Sequence, residues 1–315
     1  MTDIVQLHST RCPICHTEGN ATELYPANFD AAAFNVAVFS ARRLPDRLHY
    51  RMVKCNTCGL VRSDPIADLA VLSELYARST CDYTDEIPNI KRTYGDYLAN
   101  LSRYGAHKGS LLEIGCGNGF FLEEALAQGY ERVYGVEPSK VAVAQAHPRL
   151  QPNIVCDVMH PGLFMSEQFD AVCLFQVLDH LPDPAELISE SFRLIKPGGF
   201  ILALNHNAEA ISARLLRDRS PIIDLEHTFL YSPATMSRIF GEHGFQVKCT
   251  GSVWNTYALT YLIRLVPLPS GLKRILLVLL GNTFVGRFRL SVPLGNVYLI
   301  AQKPENFGIS STRQD

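Results

Sequence analysis

Residues 108–136 contain an apolar strand, a glycine-rich bend, an amphipathic helix and a second strand. The first strand, Leu111–Ile114, runs into Gly115-Cys-Gly-Asn-Gly119, and the helix begins at Phe120. A strand-to-helix turn without side chains lets a ligand lie against the backbone and the helix N-terminus. The spacing G-x-G-x-G differs from the G-x-G-x-x-G of dinucleotide-binding folds, because the third glycine comes one residue early. The bend predicts a ligand site at the end of the first strand.

Strands and helices continue to alternate along the rest of the chain. Further strands are predicted at Ile154–Cys156, Phe169–Phe175, Phe200–Leu204, Phe245–Val253 and Val297–Ala301. This pattern predicts an α/β fold, a Rossmann-like, seven-stranded, mostly parallel sheet with helices on both faces. Ligands of such sheets bind at the carboxyl ends of the strands. Glu137 lies at that end of the second strand, where its carboxylate can accept hydrogen bonds from two ribose hydroxyls.

Two C-x-x-C pairs precede this region, Cys12 with Cys15 and Cys55 with Cys58. Each turn brings two thiolates together, and two such turns complete a four-cysteine shell for a structural zinc ion. A redox dithiol or unrelated cysteines are the alternatives. His16 could replace one thiolate, although a histidine in this position is more often a surface residue. We expect a small N-terminal zinc ribbon, with strand-like spacer segments at Phe34–Phe39 and His49–Lys54.

Composition limits the classes of function. The formal net charge is -2, and a protein that grips many phosphates normally carries a basic excess, so a nucleic-acid partner is unfavoured. The N-terminus lacks the pattern of a signal peptide, and no apolar run is long enough to span a bilayer. Nine cysteines without an export signal favour reduced thiols or metal ligands over disulfides. We expect a cytoplasmic protein of unknown oligomeric state.

Five segments, in order, resemble motifs of the class I S-adenosylmethionine (SAM)-dependent methyltransferases. They are the glycine motif Glu113–Gly119, the ribose-binding segment Gly135–Ser139, the adenine-binding turn Cys156–Val158, the fourth strand with the segment after it, Phe169–Asp183, and the turn Leu194–Phe200. The resemblance implies SAM as cofactor, held by Glu113, Gly115, Gly117, Asn118, Gly119, Glu137, Pro138, Asp157, Val158, Phe175 and Gln176. Asp157 is expected to receive the exocyclic amine of the adenine.

Methyl transfer also needs the acceptor to be aligned and, in many cases, deprotonated. His180, His206 and His227 all follow strands, and His227 is the strongest candidate because its neighbour Glu226 could orient the imidazole. The zinc module together with this Glu-His pair resembles the sugar-nucleotide C-methyltransferases. That resemblance implies deprotonation of a carbon next to a ketone, assisted by a histidine like His180 and a tyrosine like Tyr76.

Two features depart from that second family. Asp224 stands where the family has a tyrosine, and the chain is too short to hold the family's additional C-terminal domain. We therefore expect a methyltransferase of a small-molecule acceptor, with a sugar or glycan precursor as a hypothesis. The alternatives are an RNA methyltransferase with a zinc module, a methyltransferase of a lipid-linked acceptor, and a non-catalytic interaction protein.

The sequence predicts a zinc-ribbon module at residues 1–63, a helical linker or lid at 64–107, a SAM-binding domain at 108–305 and a tail at 306–315. The segment 254–290 is expected to form a cap inserted into the SAM-binding domain. Its helix Lys273–Leu280 is apolar on nearly all sides, which suits burial better than an interface. A surface for a membrane or a lipid-linked acceptor is the alternative, so peripheral membrane contact remains open.

Overall fold

The computed structural model describes residues 6–29, 48–68, 87–266, 268–281, 283–286 and 288–305. Tyr76 and the short helix expected around it lie outside the described residues. So do the expected strand at Phe34–Phe39 and the expected tail at 306–315.

The described chain forms strands and helices in a mixed order. The strands are β1 Leu7–His8, β2 Ala21–Tyr25, β3 Met52–Cys55, β4 Val61–Ser63, β5 Ile66–Ala67, β6 Ser110–Ile114, β7 Arg132–Val136, β8 Ile154–Val155, β9 Phe169–Phe175, β10 Ile195–His206, β11 Phe229–Leu230, β12 Gln246–Ser252, β13 Asn255–Ala258, β14 Arg289–Val292 and β15 Asn296–Gln302. The helices are α1 Ile87–Ala99, α2 Phe120–Ala127, α3 Lys140–Gln145, α4 Pro184–Leu194, α5 Ile211–Leu216, α6 Pro233–Glu242, α7 Leu259–Leu265 and α8 Ser270–Leu280.

The central sheet has seven strands in the order β12-β15-β10-β9-β6-β7-β8. Strands β10, β9, β6, β7 and β8 are parallel, and β15 runs antiparallel to both β10 and β12. The expected Rossmann-like, mostly parallel sheet is therefore confirmed. The parallel strands end at one edge, where their connecting loops place the candidate ligand-binding residues.

Two helix starts follow the sequence prediction. Ser139 accepts a hydrogen bond from the Ala142 backbone N–H and caps α3. Ser232 and Thr235 form a reciprocal capping box at the start of α6. The first cap positions the loop that carries Glu137, and the second follows β11, which comes directly after the segment that carries His227.

The N-terminal strands join the rest of the chain through a second sheet, ordered β11-β4-β3-β2. In that sheet, β4 of the cysteine region pairs antiparallel with β11, and Arg62 lies opposite Phe229. Cys12, Ile14 and Leu60 are buried in the same apolar cluster as side chains of the large sheet. The cysteine region is thus packed into the core beside the segment that contains His227.

The segment between β12 and β15 extends from the edge of the central sheet. Its strands β13 and β14 form a two-stranded antiparallel sheet, and α7 and α8 lie between them in the chain. None of the residues of α8 is buried, so this helix does not have the burial that its apolar sequence suggests. Among the helices of the described chain, none combines the length and apolarity that crossing a bilayer requires.

Candidate active site

A cavity of about 770 Å³ opens at the carboxyl ends of the parallel strands. Its lining includes the glycine bend after β6, the tip of β7, the loops after β9 and β10, and part of the β12–β15 connection. The volume lies within the range of about 300–1,000 Å³ that is usual for small-molecule sites. We call the part near the glycine bend the cofactor half and the part near His206 and His227 the acceptor half.

The glycine bend exposes its backbone to the cofactor half. Gly115 has φ +76°, and a Cβ on it would come within 2.8 Å of the Val177 side chain, so a larger residue does not fit. Gly117 has φ +53°, and no atom lies within 4 Å of the Cβ position there, which leaves that side open to a ligand. Both glycines line the cavity.

Glu137 links the bend to the end of β7. Its carboxylate accepts hydrogen bonds from the Gly117 N–H at 2.9 Å and the Ser139 N–H at 2.8 Å. A carboxylate has about four lone-pair sites, so it can accept further hydrogen bonds from ribose hydroxyls. Burial raises the pKa of Glu137, although the two backbone hydrogen bonds oppose this shift. The geometry suits the expected ribose contact.

Glu113 provides an acidic group deep in the cofactor half. Its side chain is almost fully buried, its Oε2 atom has no hydrogen-bond partner, and the residue lines the cavity. Burial, followed by the nearby charge of Glu137, raises its pKa well above the ordinary value. A buried carboxyl without a partner is costly, and a cationic ligand would satisfy it. SAM carries a sulfonium and an ammonium group, so these residues fit it.

The other residues expected to bind SAM fall into two groups. Five of them line the cavity, namely Pro138, Asp157, Val158, Phe175 and Gln176. Asn118 and Gly119 do not line it, although both belong to the bend. Gly119 instead occupies the N-cap of α2 with φ +74°, a conformation that favours glycine. Its role in the structure is to turn the chain into the helix.

Helix α1 contributes an aromatic side chain to the cavity lining, and the sequence did not identify this contribution. Tyr94 stacks on Phe175 with ring centroids 4.1 Å apart, and both Tyr94 and Ile90 line the cavity. Phe175 at the end of β9 could have indicated such a contact in the sequence, because an aromatic side chain there needs an apolar partner above the sheet.

The acceptor half contains a carboxylate–imidazole pair, Asp179 and His206. Asp179 Oδ2 lies 2.5 Å from His206 Nδ1 and also accepts the His206 backbone N–H at 3.2 Å. The Asp179 side chain is fully buried, while His206 lines the cavity. When Asp179 holds the proton on Nδ1, Nε2 of the same ring is left as the proton acceptor. The sequence gave His206 as one of three candidate histidines and did not identify Asp179.

His227 is held by Asp224, a partner that the sequence did not propose for it. Asp224 Oδ1 lies 2.9 Å from His227 Nδ1 and accepts the His227 backbone N–H at 2.9 Å. Glu226 and His180 line the same half of the cavity. Asp224, which was noted only as a departure from a family pattern, is the charged partner. The three-residue spacing between Asp224 and His227 could have indicated this contact in the sequence.

The three imidazoles lie close together and differ in pKa. The ring centroids of His206 and His227 are 3.9 Å apart, and those of His180 and His227 are 4.9 Å apart. Burial disfavours the charged form of all three rings. For His227, the charge and hydrogen bond of Asp224, with help from Asp179 and Glu226, outweigh burial and raise its pKa to about 9.

The other two rings shift in the opposite direction. Burial and the charges of His227 and His206 lower the pKa of His180 to about 4, and Asp179 offsets this shift only in part. Burial and the positive His227 likewise lower the pKa of His206, despite its contact with Asp179. At neutral pH the group therefore holds a cationic His227 beside a neutral His206.

Asp179, His206 and His227 also have the spacing of a metal site, since their ligand atoms lie within 4.8 Å of one another. Metal binding requires a neutral imidazole with a free lone pair. The raised pKa of His227 leaves its ring protonated at neutral pH. Proton chemistry therefore fits this group better than metal binding.

Apolar and aromatic side chains form a large part of the cavity lining. They include Leu215, Leu216, Ile222, Tyr257, Tyr261 and Leu262. Tyr257 and Tyr261 stack with ring centroids 5.4 Å apart. The cavity therefore combines an apolar wall with the imidazoles.

The four expected zinc ligands come together away from this cavity. The sulfur atoms of Cys12, Cys15, Cys55 and Cys58 lie within 4.8 Å of one another, and all four are free thiols. The Sγ atoms of Cys12 and Cys58 are 3.6 Å apart. The edge of a tetrahedral zinc-thiolate site is about 3.8 Å, so the set fits zinc.

The two C-x-x-C turns have the same backbone pattern. The first residue after each pair, His16 or Gly59, has a positive φ of 54° or 80°. Each donates its N–H to the carbonyl of the first cysteine, at 2.8 Å for His16 and 2.9 Å for Gly59. His16 is exposed and serves as a turn residue here.

The sheet order, the glycine bend and the acidic residues at its rim define a class I SAM-dependent methyltransferase domain. A profile of the family described as "Methyltransferase domain" matches residues 88–250, just over half of the chain. The chain belongs to this family.

Curated relatives match a shorter part of the chain. The ubiquinone biosynthesis O-methyltransferase of Pseudomonas fluorescens (strain SBW25) is 38% identical over 109 residues, which cover 32% of this chain and 46% of the relative. The protein of the same name from Pseudomonas aeruginosa (strain UCBPP-PA14) is 37% identical over 117 residues, 34% of this chain and 50% of the relative. The chain thus spans about half the length of the curated relatives it matches.

Solved structures are similar at lower identity. A SAM-dependent methyltransferase from Archaeoglobus fulgidus is 20% identical, with 75% of this chain and 100% of that chain covered and a TM-score of 0.46. The YcgJ protein from Bacillus subtilis is 18% identical, with 68% and 100% covered and a TM-score of 0.45.

Proposed function

We propose that this protein transfers the methyl group of SAM to a hydroxyl group of a small molecule with an apolar body. The observation that carries the proposal is the Asp179–His206 pair, which lines the same cavity as the glycine bend. Methyl transfer needs a bound donor and a base for the acceptor proton, and the cavity brings residues suited to both together.

In the cofactor half, the chain binds and orients the donor. SAM, when bound, supplies an electrophilic methyl group on a sulfonium. Glu137 accepts hydrogen bonds from the ribose, Glu113 offers a carboxyl group whose ionised form the positive charge of the donor would favour, and the backbone at Gly115 and Gly117 lets the ligand approach closely. Asp157 and Val158 lie at the rim, where they suit the adenine contact expected from the family resemblance.

In the acceptor half, His206 removes the proton. Its Nε2 takes the proton from the acceptor hydroxyl as the oxygen forms a bond to the methyl carbon and the carbon–sulfur bond breaks. The products are a methyl ether, the neutral thioether of the spent donor, and an imidazolium on His206. Asp179 holds the ring and stabilises its charged form, as a carboxylate does beside a catalytic histidine.

His227 has a different role in this proposal from the one that the sequence suggested. As an imidazolium, His227 cannot accept a proton. The proposed general base is therefore His206, oriented by Asp179, and not His227 oriented by Glu226. The charge of His227 instead stabilises negative charge that develops on the acceptor oxygen. His180 and Glu226 line the acceptor half of the cavity and shape it. A contact of Tyr76 with the acceptor stays a prediction.

An apolar or aromatic acceptor fits the cavity better than a sugar. The wall of leucines, isoleucine and tyrosines offers few hydrogen-bonding groups for the many hydroxyls of a sugar. The curated relatives are named for ubiquinone biosynthesis and O-methylation. Both considerations support oxygen methylation of such a molecule over the carbon methylation of a sugar nucleotide.

An RNA acceptor has less support. In the cysteine region, Arg62 is fully buried and donates from Nε to the Thr10 hydroxyl oxygen at 3.0 Å. Arg51 forms ion pairs with Asp64 at 3.1 Å and Glu23 at 3.8 Å. These two side chains stabilise the fold and are not presented as a basic face.

We also assign a structural zinc ion to Cys12, Cys15, Cys55 and Cys58. Four thiolates complete the tetrahedral shell and leave no position for a substrate, so the ion would act through stability alone. Within this proposal the chain consists of a zinc-binding N-terminal module, a linker whose α1 covers the cofactor, and the SAM-binding domain with its 254–290 insertion.

The proposal is tested by the products that the protein makes. Purified protein is incubated with methyl-labelled SAM and a metabolite extract from cells that lack it, and labelled products are identified by mass spectrometry. We expect a methyl ether of an apolar or phenolic compound, formed by the wild type and not by His206→Gln. Labelled RNA, a labelled sugar carbon, or no labelled product with SAM bound would overturn it.

A further inference from the structure

The insertion between β12 and β15 exposes many apolar side chains. We call this surface the mouth patch and define it by the exposed side chains Val266, Leu272, Ile275, Val278, Leu279, Phe284, Val285 and Phe288. Val278, Leu279 and Phe284 are 72%, 64% and 86% exposed, so each presents most of its apolar surface to solvent. Exposed apolar surfaces of this kind mark sites of interaction.

The patch belongs to one structural unit. The pairing of β13 with β14 closes the insertion at its base, and the Leu259 N–H donates to the Phe288 carbonyl at 2.9 Å. Helices α7 and α8 contact each other within this unit. The apolar side chains are therefore held on a common element and do not come from scattered loops.

The mouth patch is continuous with the acceptor half of the cavity. Val266 is both an exposed residue of the patch and part of the cavity lining. Across the opening, Ile211 and Leu215 are 56% and 76% exposed and also line the cavity. An apolar molecule can thus pass from the surface to the imidazoles along apolar side chains.

The charge of the insertion indicates what covers the patch. Between residues 254 and 290 the sequence contains no aspartate or glutamate and five cations, Arg264, Lys273, Arg274, Arg287 and Arg289. Arg264, Arg274 and Arg289 are exposed. Basic side chains around an apolar helix face complement the anionic headgroups and acyl chains of a membrane surface.

Helix α8 suits a position on such a surface. It has 11 residues and would be about 16 Å long at 1.5 Å per residue, about half of a bilayer core. It can therefore lie in the interface and cannot cross it. A second copy of the chain would bring the same cations against one another, which disfavours self-association through this patch.

We infer that the mouth patch docks on anionic phospholipid membranes and opens the acceptor half toward the lipid phase. Membrane docking does not depend on the proposed chemistry. Only the delivery of a membrane-dissolved acceptor to the cavity rests on the proposed function.

Vesicle co-sedimentation of the full chain tests docking directly. The vesicles contain phosphatidylcholine alone or phosphatidylcholine with phosphatidylglycerol, each at low and high salt. We expect the protein to pellet with the anionic vesicles and to release partly at high salt. Pelleting should drop about tenfold or more in Val278→Asp/Leu279→Asp, since two apolar side chains leave the interface. Lys273→Glu/Arg274→Glu should lose the preference for anionic lipid.

Met165→Asp and Lys248→Glu are the matched controls, because both residues are exposed and lie outside the insertion. Both should pellet like the wild type, and all variants should keep SAM affinity by calorimetry. Absence of wild-type binding at low salt, or equal losses in the controls, overturns the inference. So does a dimer that Val278→Asp/Leu279→Asp dissolves without vesicle binding. Vesicle binding with no methylated product would instead overturn only the proposed function.

Discussion

The backbone N–H of Ser63 donates to the carbonyl of Thr228 at 2.8 Å, and the Ser63 hydroxyl lies 3.3 Å from the carbonyl of His227. These contacts join the end of β4 to the start of β11. They hold the backbone of His227 from the side of the cysteine region. The cysteine region is thus placed to affect the acceptor half, although the proposed zinc site lies outside the cavity.

Loss of a zinc ligand should therefore lower both stability and turnover. Cys58→Ser should lose most of its zinc and melt at a lower temperature, because structural zinc contributes directly to folding free energy. Metal analysis and thermal melting measure this, with Cys156→Ser as the control, an exposed cysteine outside the cluster. The wild type should contain one zinc ion per chain. Two ions would contradict the assignment of Asp179, His206 and His227 to proton chemistry.

Glu137→Ala should weaken SAM binding. The substitution removes two or more hydrogen bonds to a carboxylate, each worth about 1.5–3 kcal/mol, so we expect a loss of affinity of about a hundredfold or more. Isothermal titration calorimetry measures the effect. Glu131→Ala, an exposed residue outside the cavity, should bind SAM like the wild type. Equal affinity in both variants would remove Glu137 from the cofactor site.

His206→Gln should reduce kcat by about 10²–10⁴-fold, the usual contribution of a positioned general base. SAM affinity should be unchanged, because His206 lies in the acceptor half. Asp179→Asn should lower kcat as well, since an amide cannot stabilise the imidazolium. Single-turnover kinetics with the identified acceptor provide the measurement. Full activity in His206→Gln would show that another group takes the proton.

His227→Gln should spare SAM binding and slow turnover, as an electrostatic contribution from a charged side chain predicts. We expect a smaller loss than for His206→Gln, because the base is retained. Measurement of kcat in both variants shows which substitution causes the larger loss. If His227→Gln were the more damaging change in kcat, the roles assigned to the two histidines would be reversed.

The pH profile of kcat/KM should be bell-shaped. His206 acts when neutral, and its folded pKa lies below the ordinary 6.5, so activity rises with pH on the acid side and levels off before neutrality. His227 acts when charged, and its pKa is about 9, so activity falls as pH rises through that value. Asp179, Asp224, Glu226 and His180 are the neighbouring groups that set these values.

His227→Gln provides the control for the alkaline limb. That variant has no imidazolium to deprotonate, so its activity should stay level near pH 9 while the acid limb persists. An unchanged alkaline limb in the variant would assign that limb to another group.

Local sequence patterns were sufficient to predict the strand, bend and helix cap that form the cofactor site. The strand at Leu111, the bend at Gly115 and the cap at Ser139 depend on neighbouring residues, so periodicity and turn chemistry identified them. The cysteine pairs were also visible, because two matched C-x-x-C turns have few other uses. The seven strands of the sheet were placed within a few residues, except that β10 extends at both ends through pairing with β9 and β15.

Long-range pairing limited the prediction of the acceptor half. Asp179 and His206 are 27 residues apart, and nothing local shows that their side chains meet. Ser63 and His227 are 164 residues apart, so the strand that joins them had no sequence signal. The exposure of α8 could not be read either, since an apolar helix has the same composition whether it faces a core or an interface.

The insertion joins two strands, β12 and β15, that are neighbours at the edge of the central sheet. Its length and composition can therefore vary without disturbing the strands that carry Glu113 and Glu137. Under the proposed function, the insertion contributes to acceptor choice and is separate in the chain from the donor-binding residues. Exchange of the insertion between relatives should alter which molecules are methylated and leave the use of SAM unaltered, a route by which one scaffold can diversify.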